Sequence, residues 1–537
     1  MQTKISMLCL ALGAALGSMA MPVQAAAGGN AWVATATHAH ALAATASAKD
    51  LAEPGMPIHI DVALKLQNRA VLDAFIADAH NPHSSTYGAT LLPQDVAANF
   101  APSDAQVQAV VDYLAKAGFT HITVAPNRLM VSADGTAAGA QTAFATRLIH
   151  AHDSEGHAAY ANIDDAKVPA ALAGTVLSVL GLQTVSHAHT MIRTAGKPGS
   201  GGGGAGTITG HNPTTFPTIY NAGGTPTAST VTVGIISDGD MTQPLNDLAS
   251  FTSRNGLPAV NTQVVVAGPA GTDTSGTAEW DLDSQDIVGM SGGVGKLIFY
   301  TATSLSNSAL TTAYNRAVSD NQARVINVSL GECETYAYQD GSMAADDQIF
   351  AVAVAQGQTF SVSTGDDGSN ECGGSPRGTT PSYPASSPYV VAVSGTTLGT
   401  GSNNSWASET LWSKAGGSPS TVEPKPSWQT QGGGSTRDVA DVAFDADPNS
   451  GAVIIVNGSN AQYGGTSLSA PLFAATWARM LAGHASLGFA GPHLYQVPSS
   501  VYHDVTSGSN GGESAGTGWD YASGFGSIIV GNLNASL

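Results

Sequence analysis

The stretch Gly464-Gly465-Thr466-Ser467-Leu468-Ser469-Ala470-Pro471 marks the point where the C-terminal half of this chain changes from loop to helix. Two glycines permit a sharp backbone bend and a close approach of another chain. The apolar run at 472–478 predicts a buried helix, and the first turn of a helix tolerates a proline. Ser467 is therefore expected at a helix N-terminus, as a cap or as a nucleophile whose negative oxygen the helix dipole stabilises.

Apolar, β-branched runs recur before this stretch, and helical segments lie between them. Continuously apolar strands that alternate with helices predict a parallel sheet covered on both faces, an α/β fold with its site at the carboxyl ends of the strands. The predicted strands are 231–237, 263–267, 297–301, 325–330, 359–362, 389–393 and 453–456. The predicted helices are 275–290, 307–318, 344–355 and 467–481.

The N-terminal third predicts a separate, small α+β domain. Its predicted elements are a strand at 57–66, a helix at 69–79, a helix opened by a Ser103/Gln106 capping box, a hairpin at 121–132 and a helix at 137–148. The Gly-rich segment 193–210 predicts a flexible, protease-sensitive linker. We therefore divide the chain into a signal peptide (1–25), an N-terminal domain (26–192), the linker (193–210) and a C-terminal domain (211–537).

The first residues have the pattern of a secretory signal. Lys4 precedes an apolar run at 5–20, and Val23-Gln24-Ala25 resembles a cleavage site. Because no later stretch is long and apolar enough to span a bilayer, we expect a secreted, extracellular protein without a membrane anchor. The chain has 39 acidic and 19 basic residues, which argues against nucleic-acid binding and suits a protein that works at low pH.

Two cysteines remain after the signal. Cys9 leaves with it, and Cys333 and Cys372 form either one disulfide, as expected in an oxidising compartment, or two buried thiols.

A serine hydroxyl needs a base, and the C-terminal domain offers few histidines for that role. Its histidines are His211, His484, His493 and His503, and only His211 precedes Ser467. None has the Gly/Thr surroundings of the subtilisin histidine. A Ser-His-Asp protease therefore stays a second choice, although folding can bring distant residues together.

Carboxylates are the alternative base. Glu279 and Asp283 stand at i and i+4 in the sequence EWDLD, so they share one helix face, and Asp286 lies on nearly the same face. Two adjacent acids that share a proton titrate in two coupled steps, which keeps one ionised at acid pH. A solvated acidic helix face is the other interpretation of this spacing.

A third acid follows a predicted strand, in Ser363-Thr364-Gly365-Asp366-Asp367-Gly368. Asp366 is either a turn-forming residue or, when protonated, a hydrogen-bond donor to an oxyanion.

Taken together, EWDLD, STGDDG and GGTSLSAP resemble the sedolisin, or serine-carboxyl peptidase, family of the pseudomonalisin and xanthomonalisin type, with a prodomain like that of pro-kumamolisin. Asp367 departs from the family pattern, in which a serine is frequent. The resemblance implies a subtilisin-like fold with Ser467 as nucleophile, Glu279 as base, Asp283 as its partner and protonated Asp366 in the oxyanion hole. It also implies a zymogen that acts on proteins or peptides at acid pH.

The same resemblance implies that the prodomain (26–192) is an intramolecular inhibitor and folding aid, and we expect a monomer. A non-catalytic secreted binding module on a peptidase fold is the alternative from another class of function. The stretch at 327–333 ends a predicted strand and is either a substrate groove or an ordinary strand exit. Because eleven of the fifteen histidines precede the linker, we also hypothesise that acid charges His150, His152, His157, His187 and His189 and so weakens prodomain docking.

The C-terminal tail contains a candidate cation site in DVTSGSNG (504–511) and AGTGWD (515–520). Carboxylate and backbone oxygens are the ligands that Ca²⁺ prefers, although the composition by itself favours a Gly/Asp-rich surface loop. The family resemblance implies one structural Ca²⁺, held by the side chains of Asp504 and Asp520 and by the carbonyls of Val505, Gly516 and Gly518.

Overall fold

The computed structural model describes residues 31–44, 50–195, 206–375 and 377–537. The predicted signal peptide and the middle of the predicted linker lie outside these ranges. Among the described residues, no helix has the length and apolar character needed to cross a membrane.

The N-terminal unit is an antiparallel sheet with helices and a core of its own. Its strands are β1 (Pro57–Leu64), β2 (Thr120–Val124), β3 (Met130–Thr136) and β4 (Val176–Leu180), in the order β2-β3-β1-β4. Its main helices are α1 (Arg69–Ala79), α2 (Asp104–Lys116) and α3 (Ala137–Phe144). Ser103 and Gln106 form the predicted capping box of α2. Helix α3 ends earlier than predicted, since the chain from Leu148 to His152 forms a hairpin strand with Ala158–Asn162.

Two short strands, β5 (His189–Thr190) and β6 (Arg193–Thr194), connect this unit to the C-terminal domain. The strands of that domain are β7 (Thr232–Asp238), β8 (Thr262–Ala267), β9 (Lys296–Ala302), β10 (Val325–Val328), β11 (Leu330–Cys333), β12 (Thr359–Ser363), β13 (Val391–Thr400), β14 (Trp406–Leu411), β15 (Val442–Asp445), β16 (Ala452–Val456) and β17 (Ser459–Gly464). Its long helices are α4 (Thr242–Arg254), α5 (Thr277–Ser291), α6 (Asn307–Asp320), α7 (Ser342–Ala355) and α8 (Thr466–Gly483).

The central sheet has eight strands in the order β8-β9-β7-β10-β12-β13-β14, and β15 also pairs with β13. All neighbours are parallel except β13 and β14, which confirms the predicted α/β class. Helix α8 packs across β10, β12 and β13, and α5 packs against α8. The residues that follow β10 and β12 therefore meet the start of α8 at the carboxyl edge of the sheet.

Two predictions about this region are wrong. The strand predicted at 453–456 lies in an antiparallel hairpin, β16–β17, outside the parallel sheet. The hairpin turns at Asn457 and Gly458, which both have positive φ, and an Asn-Gly pair favours such a two-residue turn. Arg193 and Thr194 do not behave as linker, because β6 pairs with the exposed backbone edge of β17. Composition alone does not reveal that a polar segment has a strand to pair with.

Cys333 and Cys372 form a disulfide, as one of the two interpretations predicted. The bond joins the end of β11 to the loop that follows β12.

Candidate active site

Ser467 is the second residue of α8 and is completely buried. The helix cap is Gly465, at φ 96°, so Ser467 is not the capping residue. A Cβ on Gly464 would lie 2.3 Å from the Ala446 carbonyl oxygen, and one on Gly465 would lie 2.0 Å from the Met191 carbonyl oxygen. Both glycines are thus needed to bring the start of α8 against its neighbours. The Ser467 hydroxyl donates to the Ser329 carbonyl at 3.2 Å.

Glu279 and Asp283 lie on consecutive turns of α5, and both side chains are inaccessible to solvent. Burial and the charge of Asp283 raise the pKa of Glu279 well above its ordinary value, whereas the Ser467 hydroxyl lowers it. Among the described residues neither Glu279 oxygen has a hydrogen-bond partner, because the Ser467 hydroxyl donates its proton to the Ser329 carbonyl. The alternative of a solvated acidic face is therefore wrong.

Asp283 is held by two residues of the stretch at 327–333, which the sequence analysis considered as a substrate groove but not as support for the acid pair. The Ser329 hydroxyl donates to Asp283 Oδ1 at 2.6 Å, and Asn327 Nδ2 donates to the Ser329 hydroxyl at 2.9 Å. Burial raises the pKa of Asp283, and these two donors oppose that shift. Their position at the carboxyl end of a predicted core strand was the signal available in the sequence.

Asp286 extends the row of acids on α5 by nearly one further turn. It is completely buried, and neither of its oxygens has a hydrogen-bond partner among the described residues. Burial raises its pKa well above the ordinary value, and the charges of Asp283 and Asp445 raise it further. The helix face predicted for Glu279 and Asp283 therefore carries a third acid into the core.

Asp366 follows β12 and is buried against the start of α8. Its Oδ1 accepts from the Thr466 backbone at 2.8 Å and from the Thr466 hydroxyl at 2.9 Å. Burial raises the pKa of Asp366 to about 7, although the Thr466 bonds and the charge of Arg193 lower it. The carboxyl group is close to the Ser467 turn, since a Cβ on Gly465 would lie 2.7 Å from Asp366 Oδ2. The structure therefore brings all four predicted catalytic residues to one site.

The end of the N-terminal unit runs through this site as an extended chain. Strand β5 pairs antiparallel with β11, and β6 pairs antiparallel with β17. The Arg193 Nε donates to Asp366 Oδ2 at 3.2 Å, and its Nη2 donates to Asp367 Oδ1 at 3.3 Å. Leu330 and Gly331, within the predicted substrate groove, thus already hold a piece of the same chain.

His189 is the one member of the five hypothesised histidines for which the structure gives a contact with an acid of the C-terminal domain. Its Nε2 lies 3.2 Å from Glu371 Oε1, and that contact raises the pKa of His189. His150 and His157 instead pair with Glu53 and Asp153 inside the N-terminal unit. A positive charge on His189 strengthens its contact with Glu371, whereas the hypothesis requires that charging the histidines weakens prodomain docking. His189, Glu371 and Asp367 lie close together, but we assign no metal there because Arg193 also binds Asp367.

The histidines of the C-terminal domain lie away from the nucleophile. His211 packs near Phe216, His503 stacks on Trp406, His493 contacts Trp477, and His484 bonds to the Asn534 carbonyl. Burial lowers the pKa of His493 and of His503 to about 4. In this fully described set, no histidine forms a hydrogen bond with Ser467.

Four of the five predicted calcium residues contact one another in two pairs in the tail. Gly518 N donates to Asp504 Oδ2 and Gly516 N donates to Asp520 Oδ2, each at 2.9 Å. Asp520 Oδ1 also accepts from the backbone amides of Ala522 and Ser523. Burial raises the pKa of Asp520. The loop therefore places the Asp504 carboxylate against the Gly518 backbone and the Asp520 carboxylate against the Gly516 backbone, and carboxylate oxygens are ligands that a hard cation prefers.

A buried serine at a helix N-terminus, faced by an acid pair and an acid loop at the edge of a parallel sheet, defines a serine peptidase that uses carboxyl groups. Residues 44–185 match the family model described as the pro-kumamolisin activation domain, and residues 265–519 match the subtilase family. The fold is accordingly subtilisin-like, with an activation domain before it.

Relatives match over most of the chain. Sedolisin of Pseudomonas sp. (strain 101) is 46% identical over 94% of this chain and 92% of its own length. Xanthomonalisin of Xanthomonas sp. (strain T-22) is 43% identical over 90% of this chain and 66% of its own length. The structure of Pseudomonas sedolisin, a serine-carboxyl proteinase in complex with two molecules of pseudo-iodotyrostatin, is 48% identical with a TM-score of 0.59, covering 62% of this chain and 98% of that one. The chain belongs to the sedolisin family of serine-carboxyl peptidases.

Proposed function

We propose that this peptidase is an endopeptidase that works at acid pH through an acyl-enzyme on Ser467. The observation that carries the proposal is the buried Glu279, whose pKa the Ser467 hydroxyl lowers and which is paired on the next helical turn with Asp283. An acid in that place accepts the proton of a nucleophile as a histidine does elsewhere, but at a lower pH.

The steps follow from the positions of these groups. Ser467 attacks the scissile carbonyl and gives its proton to Glu279, which passes it to the leaving amine. Asp283, held by the Ser329 hydroxyl, shares the proton of the pair and orients it. The Ser467 amide and the protonated Asp366 donate hydrogen bonds to the tetrahedral oxyanion. Water then hydrolyses the acyl-enzyme by the reverse proton route.

Two titrations limit the active range of pH. At neutral pH Asp366 loses its proton and repels the oxyanion, because its pKa is about 7. At very low pH the pair of Glu279 and Asp283 becomes fully protonated and no base remains. A Ser-His-Asp mechanism is less well supported, because all four histidines of the domain have their contacts elsewhere.

We further propose that the protein is exported with residues 1–25 as its signal peptide and that residues 26–192 inhibit the enzyme as a monomeric zymogen. The two short strands in the cleft support inhibition, since they occupy the backbone edges that a substrate would use.

We propose one structural Ca²⁺ in the tail. The side chains of Asp504 and Asp520 and the carbonyls of Val505, Gly516 and Gly518 would hold it. When bound, the ion supplies charge neutralisation that ties the tail loop together, and it takes no part in the chemistry.

The test is to purify the zymogen at neutral pH and to measure casein hydrolysis after incubation between pH 3 and pH 7. We expect activity to appear only in the acid samples and to be absent from Ser467→Ala and Glu279→Gln. The variant in which His211, His484, His493 and His503 are all glutamine keeps its activity if an acid is the base. Loss of activity in that soluble, folded variant, with Glu279→Gln active, would overturn the proposal in favour of a histidine base.

A further inference from the structure

One peptide carbonyl of the chain in the cleft lies at the nucleophile. The Met191 carbonyl accepts from the Ser467 amide at 3.2 Å, and the Met191 amide donates to the Ser329 carbonyl at 3.2 Å. A Cβ on Gly465 would meet both the Met191 oxygen, at 2.0 Å, and Asp366 Oδ2, at 2.7 Å. The carbonyl oxygen thus lies beside the donors that would stabilise it as an oxyanion.

The chain is held on both sides of this carbonyl. Thr190 and His189 pair with Leu330 and Gly331 on the N-terminal side, and Arg193 and Thr194 pair with β17 on the C-terminal side. The Met191 side chain is completely buried between these ladders, and its methyl end reaches Gly331. Backbone pairing on both sides fixes the position of the bond that follows Met191 relative to Ser467, as productive attack requires.

We propose that Met191–Ile192 is the first bond that the enzyme cleaves in its own chain, and that Arg193 sets the pH at which this happens. This inference rests on the proposed mechanism. Ser467 Oγ bonds to the Met191 carbonyl carbon while its proton moves through Glu279 to the Ile192 nitrogen, and the C–N bond breaks. Water then releases a Met191 carboxylate and free Ser467, and Ile192 becomes a new N-terminus. The cut precedes the 193–210 segment in which sequence composition predicted processing.

Arg193 opposes this cut in the resting zymogen. Its guanidinium contacts Asp366 Oδ2 at 3.2 Å, the Asp366 carbonyl at 3.4 Å and Asp367 Oδ1 at 3.3 Å. A cation at Oδ2 favours the ionised form of Asp366, and an ionised carboxyl group cannot donate to the oxyanion. When acid protonates Asp366, the ion pair is lost and the missing donor appears in the same step.

Other charged groups face Asp366 and adjust this transition. Two acids lie near Asp366. The charge of Glu371 raises the pKa of Asp366, and the charge of Asp366 raises the pKa of Glu279. His189 pairs with Glu371 and so reduces its effect. Lys414 and Asp447 line the same 570 Å³ cavity as Arg193 and Asp367. Among these groups Arg193 is the cation that contacts Asp366 itself, which makes it the one to test.

The experiment follows the full-length zymogen after transfer to a series of pH values, with N-terminal sequencing and intact-mass measurement of the earliest product. We expect the first new N-terminus to be Ile192, with no product from Ser467→Ala. A first cut elsewhere, with Met191–Ile192 intact and casein still hydrolysed, overturns the inference and leaves the proposed function standing. Absence of both processing and casein hydrolysis at every pH overturns the proposed function itself.

Arg193→Gln tests the control step, with Arg147→Gln as the matched control because Arg147 pairs with Asp164 inside the prodomain. We expect Arg193→Gln to move the midpoint pH of processing upward by about half a unit, since a half-exposed ion pair is worth less than a full tenfold shift in protonation. An unchanged or lower midpoint, or an equal shift in Arg147→Gln, overturns the role of Arg193.

A synthetic peptide separates the effect of Arg193 on cleavage from any effect on the stability of the prodomain. The sequence of residues 186–195, SHAHTMIRTA, is offered to the acid-processed enzyme, beside the same peptide with glutamine in place of the arginine. Both should be cut after methionine. The glutamine peptide should have the higher kcat/KM near pH 6, and the two should converge at pH 3. Cleavage of the parent peptide at another bond, or equal rates near pH 6, contradicts the inference.

Discussion

The Ser329 hydroxyl donates a 2.6 Å hydrogen bond to Asp283 Oδ1, while the Ser329 carbonyl accepts from both the Ser467 hydroxyl and the Met191 amide. One residue therefore connects the acid pair, the nucleophile and the backbone of the bound chain. Its side chain and its main chain make separate contributions, so the two can be tested apart.

Ser329→Ala removes the donor to Asp283 and keeps the carbonyl. A hydrogen bond to a charged group contributes about 1.5–3 kcal/mol, so we expect kcat to fall about ten- to hundredfold. In the wild type the Ser329 hydroxyl lowers the pKa of Asp283. Its loss should raise that pKa and so move the acid limb of the pH–rate profile to higher pH. Ser361→Ala is the control, since that buried serine bonds to the Ala470 carbonyl. An acid limb at the same pH in Ser329→Ala and in the wild type would contradict the role of Ser329.

Glu279→Gln and Asp283→Asn should separate the base from its partner. Loss of a general base lowers the rate about 10²–10⁴-fold. We therefore expect Glu279→Gln to slow acylation by about that factor in single-turnover experiments with a chromogenic peptide, while KM changes little. Asp283→Asn should retain more activity, with an altered acid limb. Equal single-turnover rates in wild type and Glu279→Gln would rule out Glu279 as the base.

Asp366→Asn replaces a titrating donor by an amide that donates at every pH. The neutral form of Asp366 is present below its pKa, which is about 7 in the uncut chain where Arg193 lowers it, and is lost as the pH rises through that pKa. We expect Asp366→Asn to flatten the alkaline limb of kcat against pH. Asp366→Ala should lower kcat about 10²–10³-fold at all pH values. If the alkaline limb is unchanged in Asp366→Asn, the titration of another group causes that limb.

Stability should fall as the pH rises. Burial, followed by the charge of Asp247, raises the pKa of Asp281 to about 9, so the folded state binds more protons than the unfolded state between about pH 4 and pH 9. Each such group destabilises the fold by about 1.4 kcal/mol per pH unit in that window. Urea unfolding of the Ser467→Ala zymogen should therefore show a smaller free energy of unfolding at pH 7 than at pH 4. Asp281→Asn should reduce this slope, whereas the exposed Asp112→Asn should not.

Calcium removal should destabilise the C-terminal domain. A ligand at a hundredfold excess over its Kd stabilises the fold by about 2.7 kcal/mol, which corresponds to about 5 °C in Tm. We expect EGTA to lower the Tm of the Ser467→Ala zymogen, Ca²⁺ to restore it and Mg²⁺ not to. Asp504→Asn should lose the response, and Asp320→Asn, which alters an ion pair with Arg316 elsewhere, should keep it. A Tm that is indifferent to EGTA in the parent would exclude the proposed ion.

Strong local patterns in the sequence predicted most of the fold. The apolar runs gave the strands of the parallel sheet, and the spacing of Glu279 and Asp283 placed them on one helix face. The Asn457-Gly458 pair was a hairpin signal that the continuous apolar run before it concealed. The contacts of Ser329 and Arg193 could not be predicted, because each depends on elements that are distant in the sequence and meet only in the folded chain.

The bond between Cys333 and Cys372 joins the strand that pairs with the bound chain to the loop that carries Asp366, Asp367 and Glu371. It closes a separation of 39 residues, and closing a loop of that length stabilises the folded state by roughly 4 kcal/mol in the chain-entropy description. The disulfide therefore cross-links the two sides of the cleft, whereas the strands of the central sheet are joined by backbone hydrogen bonds and packing. Mild reductants should accordingly impair recognition of substrates before they unfold the protein.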